Sequence, residues 1–409
     1  MADVGVRNSV GQGKVGEAAA DGATPWLLVA AVVTQALPFG IVRVSALGVL
    51  ALIASLRLAA DPRRLGAMRP PVLLVAFVVF ACASLLWSID PRGTARALVE
   101  LIAVTVVGVQ IALAHGWVAI QRGVLVACQI LVVLSVAAEI AARFGVVLRE
   151  RRSDLFYGIV SNPNVLAFVC VMTIVAVLNS ERTSTVGKGA WTMVSLVLLY
   201  GSSSSGGWVY LVVSGVLAVV LSWMRRTHPT LRPAILIAAA VGVIVMVNSR
   251  AVEVISRLTG AEQNVTLSGR TYIWTAARAG IADAPVAGYG FEALREPSVG
   301  LNAQMNALWG EWDFERFNAH NGYLDLGLQL GLVGVALLVG ALLLALGRML
   351  ALYFGGSLGM WPALTVLVIL VYNMTETRLV APLFVWLILA VLVVAARNKT
   401  PEEMRRPSS

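Results

Sequence analysis

The chain has 409 residues, of which 58% are hydrophobic and 13% are charged, and its mean hydropathy is +0.83. Soluble domains are about half apolar and about a quarter charged, so this composition excludes a soluble enzyme. The formal net charge is +9, but the basic residues are scattered between apolar segments and form no single basic patch of the kind that binds nucleic acid. The composition therefore predicts a membrane protein with no nucleic-acid partner.

Apolar runs of roughly 16 to 25 residues, long enough to cross a bilayer, recur along most of the chain. They predict an all-α polytopic membrane protein of about twelve transmembrane helices. The predicted spans are 26–41, 44–60, 72–88, 97–114, 123–142, 164–179, 190–201, 207–223, 233–248, 321–346, 357–373 and 380–396.

The polar segments predict the domain organisation and the orientation. Residues 1–24 contain no apolar core bordered by a cleavage site, so we expect a disordered cytoplasmic tail and not a signal peptide. Residues 25–397 are predicted to form a single transmembrane domain, and residues 398–409 a second cytoplasmic tail. With a cytoplasmic N-terminus, the inside segments hold about twice as many Arg and Lys as the short outside connections, as the positive-inside rule requires. The long loop 249–319 then lies on the extracytoplasmic side.

This 249–319 loop is the one long polar element, and loops of such length in a compact fold are usually functional. A serine at position 268 can cap a short helix over 268–283. Arg270, Trp274 and Arg278 recur at every fourth residue, so they share one face of this helix. The sequence therefore predicts a folded piece within the loop.

The later half of the loop reads Trp309-Gly-Glu-Trp-Asp-Phe-Glu-Arg-Phe317 and mixes aromatic rings with charges. Aromatic faces beside polar groups suit a sugar, but they also suit an amphipathic segment at the headgroup level, where Trp is enriched. Both interpretations stay open. The acidic residues of the loop have no spacing typical of a metal site and are predicted to be solvated surface charges.

One of the three histidines stands out by its position. His320 lies where the long loop enters the tenth span, in His320-Asn-Gly-Tyr-Leu324, and Gly331-Leu-Val-Gly334 follows in the same helix. An imidazole with an ordinary pKa of about 6.5 can accept a proton at physiological pH. His320 is therefore a candidate general base, although it can also be an ordinary residue at a helix start. The two glycines are expected to be close-packing positions in a membrane helix.

Several short motifs accompany the histidine in a fixed order along the chain. With His320 and the Gly-x-x-Gly step, they resemble the O-antigen ligase and O-antigen polymerase superfamily. The motifs are Leu86-Trp-Ser-Ile-Asp-Pro91, Ser161-Asn-Pro-Asn164, Leu267-Ser-Gly-Arg-Thr-Tyr-Ile-Trp274, Pro285-Val-Ala-Gly-Tyr-Gly290 and Asn373-Met-Thr-Glu376.

The resemblance implies a fold of about twelve helices, grouped with the C-type glycosyltransferases, and a glycan donor carried on undecaprenyl pyrophosphate. It implies that His320 is the base that activates the acceptor hydroxyl and that Arg270 holds the pyrophosphate. A guanidinium is a planar fork of donors that matches phosphate oxygens and stabilises the departing charge. No metal ion or cofactor is expected. The predicted substrate-binding residues are Arg278, Arg151, Arg152, Asn321 and Trp274.

Two segments leave questions open. Arg149, Arg151 and Arg152 cluster in a short outside connection, where they suit either an anionic pyrophosphate or sugar or the lipid headgroups. The stretch 200–208 departs from the family, because it reads Tyr-Gly-Ser-Ser-Ser-Ser-Gly-Gly-Trp where many ligases carry a functional Arg. We predict a hairpin turn there and place no site residue in it.

The sequence thus predicts a multi-pass glycosyltransferase of the cytoplasmic membrane that works on the extracytoplasmic face. It would transfer a glycan to an acceptor hydroxyl in cell-surface polysaccharide synthesis, with inversion at the anomeric carbon. The acceptor can be a glycan, a lipid or a protein, so ligase and polymerase both stay open. The alternatives are a transporter of an anion or a lipid-linked sugar, which would favour buried charges and broken helices near the midplane, and a scaffold of an envelope-synthesis complex.

Overall fold

The computed structural model describes residues 24–37, 39–144, 155–160, 162–248, 267–295, 319–377 and 383–399. In these ranges all regular structure is helical. The fourteen α-helices are α1 Trp26–Ala36, α2 Gly40–Ala60, α3 Pro62–Gly66, α4 Val72–Ala83, α5 Pro91–Ala114, α6 Trp117–Arg143, α7 Pro163–Leu178, α8 Thr185–Gly201, α9 Ser205–Met224, α10 Arg232–Asn248, α11 Leu267–Asp283, α12 Gly322–Phe354, α13 Trp361–Tyr372 and α14 Leu383–Asn398.

Each of the twelve predicted spans overlaps one of these helices over most of its length, and the two additional helices are the short α3 and the loop helix α11. Five helices, α2, α5, α6, α9 and α12, are long and apolar enough to cross a membrane by length and composition. The prediction of an all-helical membrane protein is thus confirmed for the described residues. The number of helices that cross the bilayer stays a prediction.

Several helices begin before the apolar run that predicted them. Helix α5 was predicted from residue 97 and begins at Pro91, because the Asp90 side chain accepts a hydrogen bond from the Gly93 N–H (2.9 Å) and caps the helix. Proline at the first helical position adds a preset backbone angle. Hydropathy locates the membrane part of a helix, whereas capping residues determine where the helix begins.

Helix α12 differs most from its prediction. It has 33 residues, about 50 Å at 1.5 Å per residue, which exceeds a hydrocarbon core of about 30 Å. The helix is broken at Gly331, which has φ +62° and ψ −169°. The part after the break, 332–354, is about 34 Å long and suits one membrane crossing. Residues 322–330 form a separate short helix, so the predicted span 321–346 contains two helices, and the start of the membrane crossing stays a prediction.

A segment of the long loop, residues 285–290, fills this break, and we call it the wedge. The backbone N–H groups of Tyr289 and Gly290 donate to the carbonyls of Leu328 and Gln329, both at 2.9 Å. On the other side of the break, the Leu332 N–H donates to the Pro285 carbonyl (2.8 Å). The wedge thus satisfies backbone groups that a continuous helix would have paired internally.

Gly331 is indeed a close-packing position, but its neighbour is loop backbone and not another membrane helix. A Cβ at Gly331 would overlap the Val286 carbonyl. A side chain at this position would therefore expel the wedge.

The bundle is organised around two helices that are buried on all sides. Residues 383–396 of α14 are all buried, as are residues 165–177 of α7. The Phe168 ring of α7 stacks on Tyr372 of α13 with centroids 4.1 Å apart. Helices that are hydrophobic all round are expected in such central positions. This packing fixes the first turn of α7 beside the last turn of α13.

A second, smaller hydrophobic core lies apart from the bundle. It contains Ala277 of α11, Leu294, Ala319 and Leu328 of the short helix. Helix α11, predicted over 268–283, thus exists at Leu267–Asp283 and packs on the helix that follows His320. The aromatic segment 309–317 lies outside the described residues.

Candidate functional site

His320 occupies a tight turn directly before α12. Its φ is +46°, in the left-handed region that non-glycine residues seldom adopt. Asn321 caps the helix, since its side-chain oxygen accepts from the N–H groups of Tyr323 (3.0 Å) and Leu324 (3.1 Å). Asn321 was predicted to bind substrate. The structure shows its oxygen in a helix cap, and substrate binding stays a prediction.

The His320 turn is attached to the end of α13. The Gly322 N–H donates to the Asn373 carbonyl (2.8 Å), and the Asn321 Nδ2 donates to the Met374 carbonyl (3.2 Å). A Cβ at Gly322 would lie 2.6 Å from the Asn373 Oδ1, so a larger residue would displace the Asn373 side chain. Two motifs that are about fifty residues apart in the chain are therefore joined through their backbones.

Helix α11 supports the turn from the other side. The Trp274 Nε1 donates to the carbonyl of Ala319 (2.9 Å), the residue directly before His320. The indole predicted to bind substrate is thus tied to the backbone beside the candidate base, and a role in substrate binding stays untested.

The two predicted arginines of α11 flank this contact. Arg270 lies one helical turn before Trp274, and Arg278 lies one turn after it and is exposed. The side chain of Arg270 is outside the described part of the chain, as are Arg151 and Arg152. The structure therefore places the helix that carries Arg270 next to the His320 turn. The arginine cluster lies outside the described residues.

We call the end of the bundle that carries the His320 turn and the turn 373–376 the motif end. A buried polar cluster lies at this end. The Asn164 Nδ2 donates to the Glu376 Oε1 (2.8 Å), and the Asn164 Oδ1 accepts from the Ser204 Oγ (2.8 Å). Next to them, the Tyr210 and Thr375 hydroxyls share a hydrogen bond. Glu376 is 3% exposed and Ser204 is 3% exposed. We call Asn164, Ser204 and Glu376 the carboxylate cluster.

In the sequence, Asn164 and Glu376 belong only to motifs that resemble the superfamily, and Ser204 belongs only to a predicted turn. The partners are 40 and 212 positions apart in the chain, so no periodicity could have paired them. The one available signal was that each stands at a helix terminus, where a polar side chain is expected to cap. The predicted turn at 200–208 is present between α8 and α9, and Ser204 caps α9 by accepting from the Gly207 N–H (3.2 Å).

Two residues near this cluster have an unusual backbone conformation. The non-glycine residues with positive φ in the described ranges are Ser203 (+48°), Glu292 (+54°) and His320 (+46°). Ser203 directly precedes Ser204 of the carboxylate cluster. His320 directly precedes Asn321 and Gly322, which donate hydrogen bonds to the turn 373–374. Such conformations cost about 1–3 kcal/mol and persist where the surroundings over-determine them, as they do at functional sites.

The wedge connects the motif end to α4 and α5. The Trp87 Nε1 donates to the Ala287 carbonyl (3.2 Å), and the Ile89 N–H donates to the Tyr289 carbonyl (3.0 Å). Burial, and then the Asp283 carboxylate, raise the pKa of Tyr289 above its ordinary value, so this phenol stays neutral at physiological pH. The tryptophan and proline motifs therefore hold each other in place.

The described residues contain no group of three or more His, Cys, Asp or Glu side chains that could hold a metal ion. The described side chains at the motif end include the His320 imidazole, the Glu376 carboxyl group and the amides of Asn164, Asn321 and Asn373.

Comparisons with known proteins agree with the motifs at this site. Residues 190–339 match the protein family described as O-antigen ligase, a segment that contains α9, α11 and His320. This match, which covers less than half of the chain, and the similarity to one relative support the resemblance to the O-antigen ligase and polymerase superfamily.

The individual protein is the exopolysaccharide production protein ExoQ of Rhizobium meliloti (strain 1021). The chain is similar to it, with 24% identity over 291 residues. The alignment covers 66% of this chain and 63% of ExoQ, so it spans less than two thirds of that relative.

Proposed function

We propose that the chain is a membrane glycosyltransferase that moves a glycan from undecaprenyl pyrophosphate to an acceptor hydroxyl during the production of a cell-surface polysaccharide. The observation that supports this best is the meeting of three separate segments at the motif end. The His320 turn is hydrogen-bonded to the end of α13 and to Trp274 of α11, and α11 carries Arg270 one turn away.

The proposed reaction uses these groups in a single displacement. The His320 imidazole accepts the proton of the acceptor hydroxyl as its oxygen bonds to the anomeric carbon. The bond from that carbon to the pyrophosphate oxygen breaks, and the pyrophosphate leaves with the electron pair. Arg270, supported by Arg278, Arg151 and Arg152, stabilises the charge on the leaving group. Attack opposite the leaving group inverts the anomeric configuration.

The alternative of a transporter has two features in its favour. Arg43 and Glu100 form a partly buried ion pair, with 3.7 Å between nitrogen and oxygen, and α12 is broken. Transporters use broken helices whose free backbone groups coordinate a substrate. Here the wedge takes up the backbone groups on both sides of Gly331, so the break is filled by protein. The enzyme is the better-supported proposal.

A reconstituted assay tests the enzyme. The donor probe is the lipid extract of a deletion strain of the source organism that lacks this chain, in which the undecaprenyl-pyrophosphate-linked glycan is expected to accumulate; the envelope fraction of the same strain supplies the acceptor. The purified chain in proteoliposomes should release undecaprenyl pyrophosphate and form a glycosylated acceptor.

The matched variant is His320→Asn, because Asn tolerates the left-handed conformation and lacks the imidazole. We expect turnover to fall by about 100-fold or more, the contribution typical of a general base. Turnover equal to that of the parent would remove His320 as the base. Uptake of the lipid-linked glycan into vesicles without product would favour the transporter.

A further inference from the structure

The turn that ends α13 contacts three other elements through consecutive residues. Asn373 and Met374 accept hydrogen bonds from the His320 turn, Thr375 pairs with Tyr210 of α9, and Glu376 accepts from Asn164 of α7. Asn164 and Glu376 both lie outside the segment 190–339 that matches the O-antigen ligase family.

The carboxylate cluster is built as a chain of hydrogen bonds. The Ser204 Oγ donates to Asn164 and also accepts from the Gly207 N–H, so the cap of α9 is part of the chain. Asn164 is the second residue of α7, where the helix terminus carries a partial positive charge. A carboxylate that is 3% exposed is costly unless it is hydrogen-bonded. A positive helix terminus and an amide donor are the surroundings that favour it.

His320 depends on this turn for its conformation. Its φ of +46° is retained only if the neighbours fix the chain on both sides. Trp274 holds the residue before His320, and the turn 373–374 holds the two residues after it. Movement of the turn would therefore move the imidazole relative to an acceptor.

We propose that Glu376 is a positioning residue for His320, acting through the backbone carbonyls of Asn373 and Met374. This inference rests on the proposed function. It assigns Glu376 no contact with substrate, and it gives the stretch 200–208 a role without an arginine, because Ser204 aligns Asn164 for Glu376.

The test exchanges the donor and the acceptor of one hydrogen bond. Asn164→Asp places a second carboxylate against Glu376 and breaks the bond. The double variant Asn164→Asp with Glu376→Gln restores the bond in the reverse direction and keeps one negative charge.

In the proteoliposome assay with the donor probe, we expect kcat to fall by about 100-fold in Asn164→Asp, the usual effect of a displacement of about 1 Å. KM for the donor should stay within about twofold of the parent, because the pyrophosphate clamp is intact. The double variant should recover kcat to within about tenfold of the parent.

A matched control separates positioning from general destabilisation. Glu100→Gln neutralises another carboxylate that is 6% exposed and is paired with Arg43 outside the cluster. It should lower the melting temperature in detergent while kcat stays at the parent value. If Asn164→Asp does not fold, Glu376→Gln decides, with an expected loss in kcat of about tenfold.

Two outcomes would overturn the inference: a parent-like kcat in Asn164→Asp or in Glu376→Gln, or a loss in Asn164→Asp that the double variant does not recover. If His320→Asn is inactive while the cluster variants match the parent, only the inference fails. If the parent itself releases no undecaprenyl pyrophosphate, the proposed function fails.

Discussion

At the motif end, some residues carry the candidate reactive groups and others hold the backbone beside them. His320 is the candidate base, and its backbone has a positive φ that non-glycine residues seldom adopt. Trp274 and Asn321 were predicted to contact substrate, and both hold the backbone beside His320. The sequence identified residues near the base, but it could not tell a side chain that faces a substrate from one that fixes the chain.

The Trp274 contact gives a prediction at this scale. Trp274→Phe keeps most of the ring and removes the N–H that donates to Ala319, so the His320 turn should loosen and glycan transfer should fall by about tenfold.

Trp386→Phe is the matched control, because the Trp386 Nε1 donates to the Thr105 Oγ1 (2.9 Å) inside the bundle. It should cost about 1 kcal/mol of stability and leave turnover unchanged. The assay is turnover per folded protein, and equal losses in both variants would contradict the prediction.

At the scale of elements, the break in α12 divides the predicted tenth span into two helices. A continuous apolar pattern over 321–346 predicted one helix, because hydropathy does not register a single glycine with an unusual backbone angle. The structure divides the element into a short helix that packs on α11 and a long helix that suits a bilayer. The short helix packs on both sides, because Leu326 and Leu330 belong to the main core and Leu328 belongs to the smaller core with Ala277.

Gly331→Ala tests this division. Its Cβ would overlap the Val286 carbonyl, and φ +62° with ψ −169° lies in a region that is essentially confined to glycine. We expect a loss of more than about 2 kcal/mol, measured as a lower melting temperature in detergent, together with loss of turnover.

Gly347→Ala is the control in the same helix, since nothing lies within 4 Å of its Cβ position. Alanine should stabilise a regular helix there by about 0.5–1 kcal/mol. A Gly331→Ala protein as stable as the parent would show that the wedge does not depend on this glycine.

At the scale of the molecule, Arg225 and Arg232 lie at the end of the bundle opposite the motif end, since they follow α9, whose first residue comes directly after Ser204. Away from the motif end, the Arg225 guanidinium lies 4.8 Å from the ring centroid of Tyr353, and the Arg232 guanidinium lies 4.4 Å from that of Phe354. The positive-inside rule predicts that this end is cytoplasmic. The motif end would then face outward, as the proposed transfer on the extracytoplasmic face requires.

Single cysteines test this orientation. Asp283→Cys at the motif end should react with a membrane-impermeant maleimide on intact cells, whereas Glu181→Cys, between α7 and α8, should react only after permeabilisation. Both positions are exposed. The parent sets the background, because Cys82, Cys128 and Cys170 lie in apolar helices. Labelling of Glu181→Cys on intact cells would reverse the proposed topology.

The sequence by itself predicted a resemblance in class, the helices of the bundle, the loop helix α11 and a candidate base, because hydropathy and short motifs can be read along the chain. Only the tertiary structure decided how α12 is divided and which residues hold His320 in place. The Asn164–Glu376 bond joins residues 212 positions apart, and the wedge meets Gly331 through backbone atoms. Contacts of this kind depend on how helices pack in three dimensions, so no pattern along the chain records them.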